Sequence, residues 1–438
     1  MPIHWMIFGL IEVVCFFYFS SNLSLKWNKI STKDFIKKLF FTALIIRVIY
    51  VIFTYFFYDS MTGIPFEFQS ADAFGYHNEA IWINKLYQNQ QLISKYGPYI
   101  GERYSDAGYP VYLSIIYFIS DNSILFTRIM KAILSAYTCI LIFKICRNNF
   151  GEQTARIAGL LAMLFPSFIY YCGLHVKETE MIFLISLFIE RGDNLIRNQH
   201  FSYLNLLLVI SVGFSLFFLR TIVGVSAFFA LFSVLLLSEN RFIQTGKKIA
   251  IGIWATVALL LLLGGALQNE ISKYWEDRGT NQLQSMKARA EVADGNKFSK
   301  YGTSAIFAPF MLIAPFPTLV NVETQQNQMM LNGGFVVKNI IGFFILLALI
   351  LLIKTKEFKK HILILAFLLI YLGILALSKF AISERFHMPI YPILLILTAF
   401  GISKINKKSA KYYVPYLFLV GAIIIGWNYF KLAGRGAV

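Results

Sequence analysis

Four groups of ionisable residues stand beside long apolar runs, where an unpaired charge is costly, and their types suit transfer chemistry at a membrane surface. Asp72, in SADAFGYH at 70–77, opens a segment in which Tyr76, Ala80, Ile83 and Tyr87 recur at helical spacing. That spacing predicts a helix lying in the interface, with the carboxylate at its N-terminus and Tyr76 and His77 close by. A carboxylate so placed can act as general base towards a hydroxyl or amine, or simply cap the helix. Glu102 and Asp106, in GERYSDAGYP at 101–110, can orient a substrate or bind a divalent cation, or be the acids of a solvated loop. Lys177 and Glu178, in HVKE at 175–178, occupy a turn between two apolar runs with no room for a loop. The pair can hold a phosphate or a substrate hydroxyl, or be a snorkelling lysine beside a surface acid. Arg220 stands alone between two apolar runs, where a guanidinium suits forked bonds to phosphate oxygens. Besides these four, Lys379, Glu384, Arg385 and His387 stand just before Pro389 and Pro392.

The chain that must position these groups has 438 residues, 57% of them hydrophobic and 14% charged, with a mean hydropathy of +0.62. Soluble domains carry about 25% charged residues, so this composition predicts an all-α polytopic membrane protein. Apolar runs at 40–57, 155–172, 249–267 and 335–353 each approach the roughly 20 residues that cross a bilayer core. The net charge of +17 is divided among short connectors and forms no single patch, which excludes nucleic acid as a partner. The four cysteines show no Cys-x-x-Cys or Cys/His spacing. The first run lacks a basic leader and a small-residue cleavage site, and is expected to be a retained helix.

Positive-inside counting fixes the topology. The Lys/Arg-rich connectors at 23–38, 144–156, 191–200, 239–248, 354–361 and 404–411 are cytoplasmic, which leaves 58–110, 175–179, 220–221, 268–333 and 378–387 outside. Between 109 and 146 the chain must cross an odd number of times. The short apolar piece at 111–119 is therefore an interfacial or half-inserted helix, and the count is about twelve spans, or thirteen if that piece crosses. One transmembrane domain takes up the whole chain, with an outer loop at 58–110 holding interfacial helices and a long polar outer loop at 268–333. An acid, several phosphate-competent cations and a histidine then converge on one face.

Three motifs resemble the GT-C superfamily of membrane glycosyltransferases that use polyprenyl-phosphate sugars, near the protein mannosyltransferases and lipid A aminoarabinose transferases. One is Asp72, Tyr76 and Ala80 in an early outer loop. Another is Tyr109-Pro110-Val111-Tyr112 leading into the next membrane segment. The last is Arg385-Phe386-His387-Met388-Pro389-Ile390-Tyr391-Pro392 before an apolar helix. The resemblance implies Asp72 as catalytic base and Lys177, Arg220 and Arg385 as ligands of the lipid phosphate. Two departures bear on acceptor and metal: Asp72 is followed by Ala73 where the family often pairs Asp with Glu, and a span precedes the helix that normally comes first.

Attack on an anomeric carbon with a lipid phosphate leaving needs a base for the nucleophile and cations for the phosphate, both at headgroup level. The expectation is a glycosyltransferase in a bacterial inner membrane, working on the periplasmic face. Its donor is a polyprenyl-phosphate-linked sugar, its acceptor a glycan, lipid or protein, and Mg or Mn a possible cofactor held by Glu102, Asp106 and Glu178. The competing classes are a polysaccharide polymerase or O-antigen ligase with a diphosphate-linked donor, and a lipid-linked sugar transporter.

Overall fold

The computed structural model describes residues 3–68, 70–197, 202–237, 310–319, 326–376 and 383–433. Among them there is no strand, as the all-helical expectation requires. The helices are α1 (Ile3–Trp27), α2 (Thr32–Thr62), α3 (Ala71–Gln88), α4 (Gly97–Ser120), α5 (Ile124–Phe150), α6 (Glu152–Leu164), α7 (Pro166–Cys172), α8 (Glu178–Arg197), α9 (Tyr203–Leu219), α10 (Thr221–Leu237), α11 (Gln326–Lys354), α12 (Ile362–Ala376), α13 (Tyr391–Lys404) and α14 (Tyr413–Ala433). Seven helical stretches among the described residues are long and apolar enough to cross a membrane, or eight if the bent pair α6–α7 is one span. α9 and α10, at 17 residues each, fall short of that test. The run at 249–267, the connector at 239–248, Lys379 and residues 268–309 of the long outer interval lie outside the described residues.

Contacts between distant segments sort the connectors into two ends, and the sorting agrees with the charge pattern. At the basic end Arg156 of α6 donates to the carbonyls of Trp27 and Ile30 at 2.8 and 2.9 Å. Asn149 of α5 meets Asp193 of α8 at 3.2 Å, and Arg197 donates to the Lys360 carbonyl at 2.8 Å. At the opposite end lie Asp72, Asp106, Lys177, Glu178, Arg220 and Arg385. Segment 101–110, expected as loop, is instead the N-terminal part of α4, because Pro98 at the start of the helix costs no hydrogen bond. α4 fails the test for a span and is joined to α5 by the turn 121–123. It packs on α3 and α9.

The break between α6 and α7 shapes the site end. Pro166 has no N–H to give the Ala162 carbonyl, and Phe165 is extended (φ −64°, ψ 118°), so the carbonyls of Ala162 and Met163 lose their helical partners. In the core of the bundle that would leave two unsatisfied acceptors. Arg47, fully buried on α2, donates to both at 3.1 Å and to Ser135 Oγ at 2.7 Å. The resulting 46° bend turns Ser167, Tyr170 and Tyr171 of α7 towards the site end. Arg47→Met leaves both carbonyls unpaired, at about 1–3 kcal/mol each. A lowered midpoint of thermal unfolding in detergent is expected, only partly recovered in Arg47→Lys, whose single ammonium lacks the fork; an unchanged midpoint for Arg47→Met would refute the capping role.

Candidate active site

At the site end a cleft of about 350 Å³ opens between the start of α3, the α7–α8 turn, the segment 310–319, α11 and the turn Glu384–His387. Asp72 lies on its rim in the first turn of α3, two residues after the N-cap position Ser70, with its side chain 57% exposed. Its Oδ2 accepts from Arg385 Nη1. The same guanidinium donates from Nε to Glu178 Oε1 at 2.8 Å. Glu178 is the first residue of α8 and is fully buried, so its charge depends on the helix N-terminus and on paired cations. Arg220 supplies a second cation at 3.3 Å. It stands where α9 gives way to extended backbone, donates to the Arg385 carbonyl at 3.1 Å and lies 4.3 Å from the Phe386 ring centroid.

Lys177 turns the other way. Its Nζ bonds Asp106 of α4 and the Leu219 carbonyl, the latter at 2.6 Å. Burial pulls its pKa below the ordinary lysine value, and Asp106 works against that pull. Tyr76, one helical turn beyond Asp72, packs edge-on to Tyr109 at 5.1 Å and close to Lys177, and burial raises its phenol. The ion pairs thus join Asp72, Asp106 and Glu178 with Lys177, Arg220 and Arg385 from five separate places in the chain.

Glu384 faces the same cleft, held by Ser167 Oγ at 2.7 Å and by the Tyr391 hydroxyl. Behind it Lys338 of α11 bonds the Ala314 carbonyl and His387 Nδ1, the latter at 3.0 Å. Two histidines chosen for their chemistry are used elsewhere. His387 is wholly buried against Lys338. His77 faces away from the cleft, with Nδ1 2.6 Å from the Tyr117 hydroxyl, which in turn lies 3.0 Å from His175 Nε2. Burial lowers the pKa of both His77 and His175. Glu102 sits on α4, its side chain outside the described part.

Two carboxylates expected as metal ligands are engaged by cations, Asp106 by Lys177 and Glu178 by the arginines. Among the described residues no group of three or more His, Cys, Asp and Glu could hold a metal ion. Glu67 and the aromatic wall of the cleft, Tyr171, Phe316, Phe335 and Trp427, carry no motif that marks them in sequence. Lys338 does carry a signal, as a lone lysine inside an apolar run.

A carboxylate on the rim, cations beside it and aromatic faces within the cleft are groups that can bind a sugar and accept a proton while an anionic group departs. No curated protein matches the chain. The model of the Alg9-like mannosyltransferase family matches residues 80–306, a little over half of it, and takes in Asp106, Lys177, Glu178 and Arg220. A family match of that extent, on an all-helical frame with several membrane-spanning helices, makes the chain a member of the Alg9-like mannosyltransferases, a GT-C fold family of membrane glycosyltransferases that take a lipid-linked sugar donor and an acceptor.

Proposed function

We propose that this glycosyltransferase moves a sugar, mannose by the name of its family, from a polyprenyl monophosphate to an acceptor, with Asp72 as general base. The active face is the periplasmic side of a bacterial plasma membrane. The observation that carries the reading is the Asp72–Arg385 pair on the rim of an aromatic cleft, a proton acceptor and a phosphate-competent guanidinium in contact. The acceptor hydroxyl gives its proton to Asp72 as its oxygen bonds the anomeric carbon. The bond from that carbon to the phosphate oxygen breaks, and the lipid phosphate leaves with the electron pair. Its growing charge falls to Arg385, Arg220 and Lys177, which are fixed beforehand by Glu178 and backbone carbonyls. Attack from the face opposite the leaving group inverts the anomeric centre. Tyr171 and Trp427 supply ring faces for the sugar.

Sugar release from a panel of polyprenyl-monophosphate sugars, mannose included, tests the chemistry in nanodiscs. Asp72→Asn is expected to lower turnover at least about 10²-fold while donor binding persists. Unchanged turnover removes Asp72 as base, and turnover with diphosphate-linked donors alone replaces the reading with a polymerase or ligase.

The face is tested separately in spheroplasts, in a background with Cys15, the exposed cysteine, changed to Ser. Gln90→Cys, exposed at the site end, should react with a membrane-impermeant maleimide, and Lys408→Cys at the basic end only after permeabilisation. The reverse pattern would put the site in the cytoplasm.

A further inference from the structure

A second cavity, of about 550 Å³, lies beside the first and shares no lining residue with it. Its walls are mostly apolar, formed by Val111 and Ile115 of α4, Phe183 and Leu184 of α8, and Phe218 of α9, with one carboxylate among them, Glu180, which is 3.6 Å from the Lys131 ammonium. α4 and α9 cross at backbone distance beside it: a Cβ on Gly108 would stand 2.8 Å from the Phe218 carbonyl oxygen. The lip of this groove is charged. Ala107 and Leu219 line it, Asp106 precedes the first, and Lys177 donates to the carbonyl of the second.

The adjoining ion pairs set three carboxylates against three cations, so an entering phosphate gains a full ion pair only by displacing a carboxylate. Glu178, with no side-chain exposure, cannot be displaced without stranding a buried charge, whereas the Asp106 side chain is 61% exposed and returns to water at little cost. We propose that the groove seats the isoprenoid chain of the lipid donor and that the donor phosphate takes Lys177 by exchange with Asp106, which occupies the phosphate position in the unliganded protein. The proposal rests on the reading of a polyprenyl-phosphate donor. It adds that the chain lies apart from the aromatic cleft and that Asp106 sets donor affinity.

Farnesyl phosphate is the probe, titrated against the full chain in detergent. Asp106→Asn removes the competing charge and is expected to tighten binding about two- to fivefold, the worth of an exposed ion pair, with the gain shrinking as salt rises. Ser215→Phe fills the groove from α9 and should weaken farnesyl phosphate while leaving inorganic phosphate unaffected. Unchanged or weaker binding in Asp106→Asn overturns the exchange, and unchanged binding in Ser215→Phe overturns the groove. Equal competition by phosphatidylglycerol also overturns the assignment, since the groove would then be a general lipid site. If these variants bind like wild type while sugar release still depends on Asp72, the groove assignment falls and the glycosyltransferase reading stands. If wild type binds no monophosphate at all, both fall.

Discussion

Glu178 is the interaction on which the site end depends. Removing a carboxylate from water costs several kcal/mol unless cations and hydrogen bonds replace the solvent, so full burial of Glu178 obliges its neighbours to come to it. The start of α8 offers the positive end of a helix dipole, Arg220 comes from the α9–α10 junction, and Arg385 from the turn before α13. Once Arg385 is anchored there through Nε, its Nη1 reaches Asp72, 313 residues away in the chain. A rim carboxylate and a rim guanidinium are thereby held in register by a residue that itself lines no cleft.

The other buried cations answer a different need. Within a bilayer every irregular stretch of backbone must find donors in the protein. Arg47 serves the carbonyls freed by Pro166, and Lys131 those of Leu174 and Val176 in the α7–α8 turn. Arg128 serves Pro65 in the loop ahead of α3, and Lys338 serves Ala314 in the segment 310–319. Each cation sits inside an apolar run and each caps a place where helix stops. These four places border the cleft or turn towards it, so the site can be built from bends and turns without leaving open carbonyls in the membrane. A cation within an apolar run here marks irregular backbone next door, even where, as for Arg128 with Glu67 and Lys131 with Glu180, it also faces a carboxylate; the cations at the ends of runs pair with Asp72, Asp106 and Glu178.

That distinction explains what the sequence could and could not reveal. The membrane class follows from composition, and the grouping of Asp72, Lys177, Glu178, Arg220 and Arg385 at one end follows from parity of crossings, because both rest on the cost of charge in hydrocarbon. Which acid meets which base is not set by that cost, and the Glu178 bridge was invisible. His77 and Tyr76 are separated by spacing alone. Five residues beyond Asp72 on a helix of 3.6 residues per turn, His77 points well away from the carboxylate, whereas Tyr76, four residues on, shares its face. His387 drew notice by its chemistry and was claimed by Lys338, itself hidden in an otherwise apolar run. Segment 101–110 read as loop from its acids and glycines, yet α4 runs through it, with Pro98 suiting its first turn and Pro110 inside.

The family match covers 80–306 and stops short of both Asp72 and Arg385. The matched part carries Asp106, Lys177, Glu178 and Arg220, the anionic bridge and the cations suited to a lipid phosphate. The unmatched ends contribute the rim carboxylate Asp72 and the guanidinium bound to it, together with Phe316, Phe335 of α11 and Trp427 of α14 on the walls of the cleft. On the proposed chemistry, charge on the leaving group is handled by the matched core, while proton removal and sugar contact fall to its flanks. Glu178 joins the two, since the carboxylate that fixes Arg220 within the core also fixes Arg385 from outside it. A change in sugar or acceptor can then arise in the flanks alone, provided the bridge to Glu178 is kept.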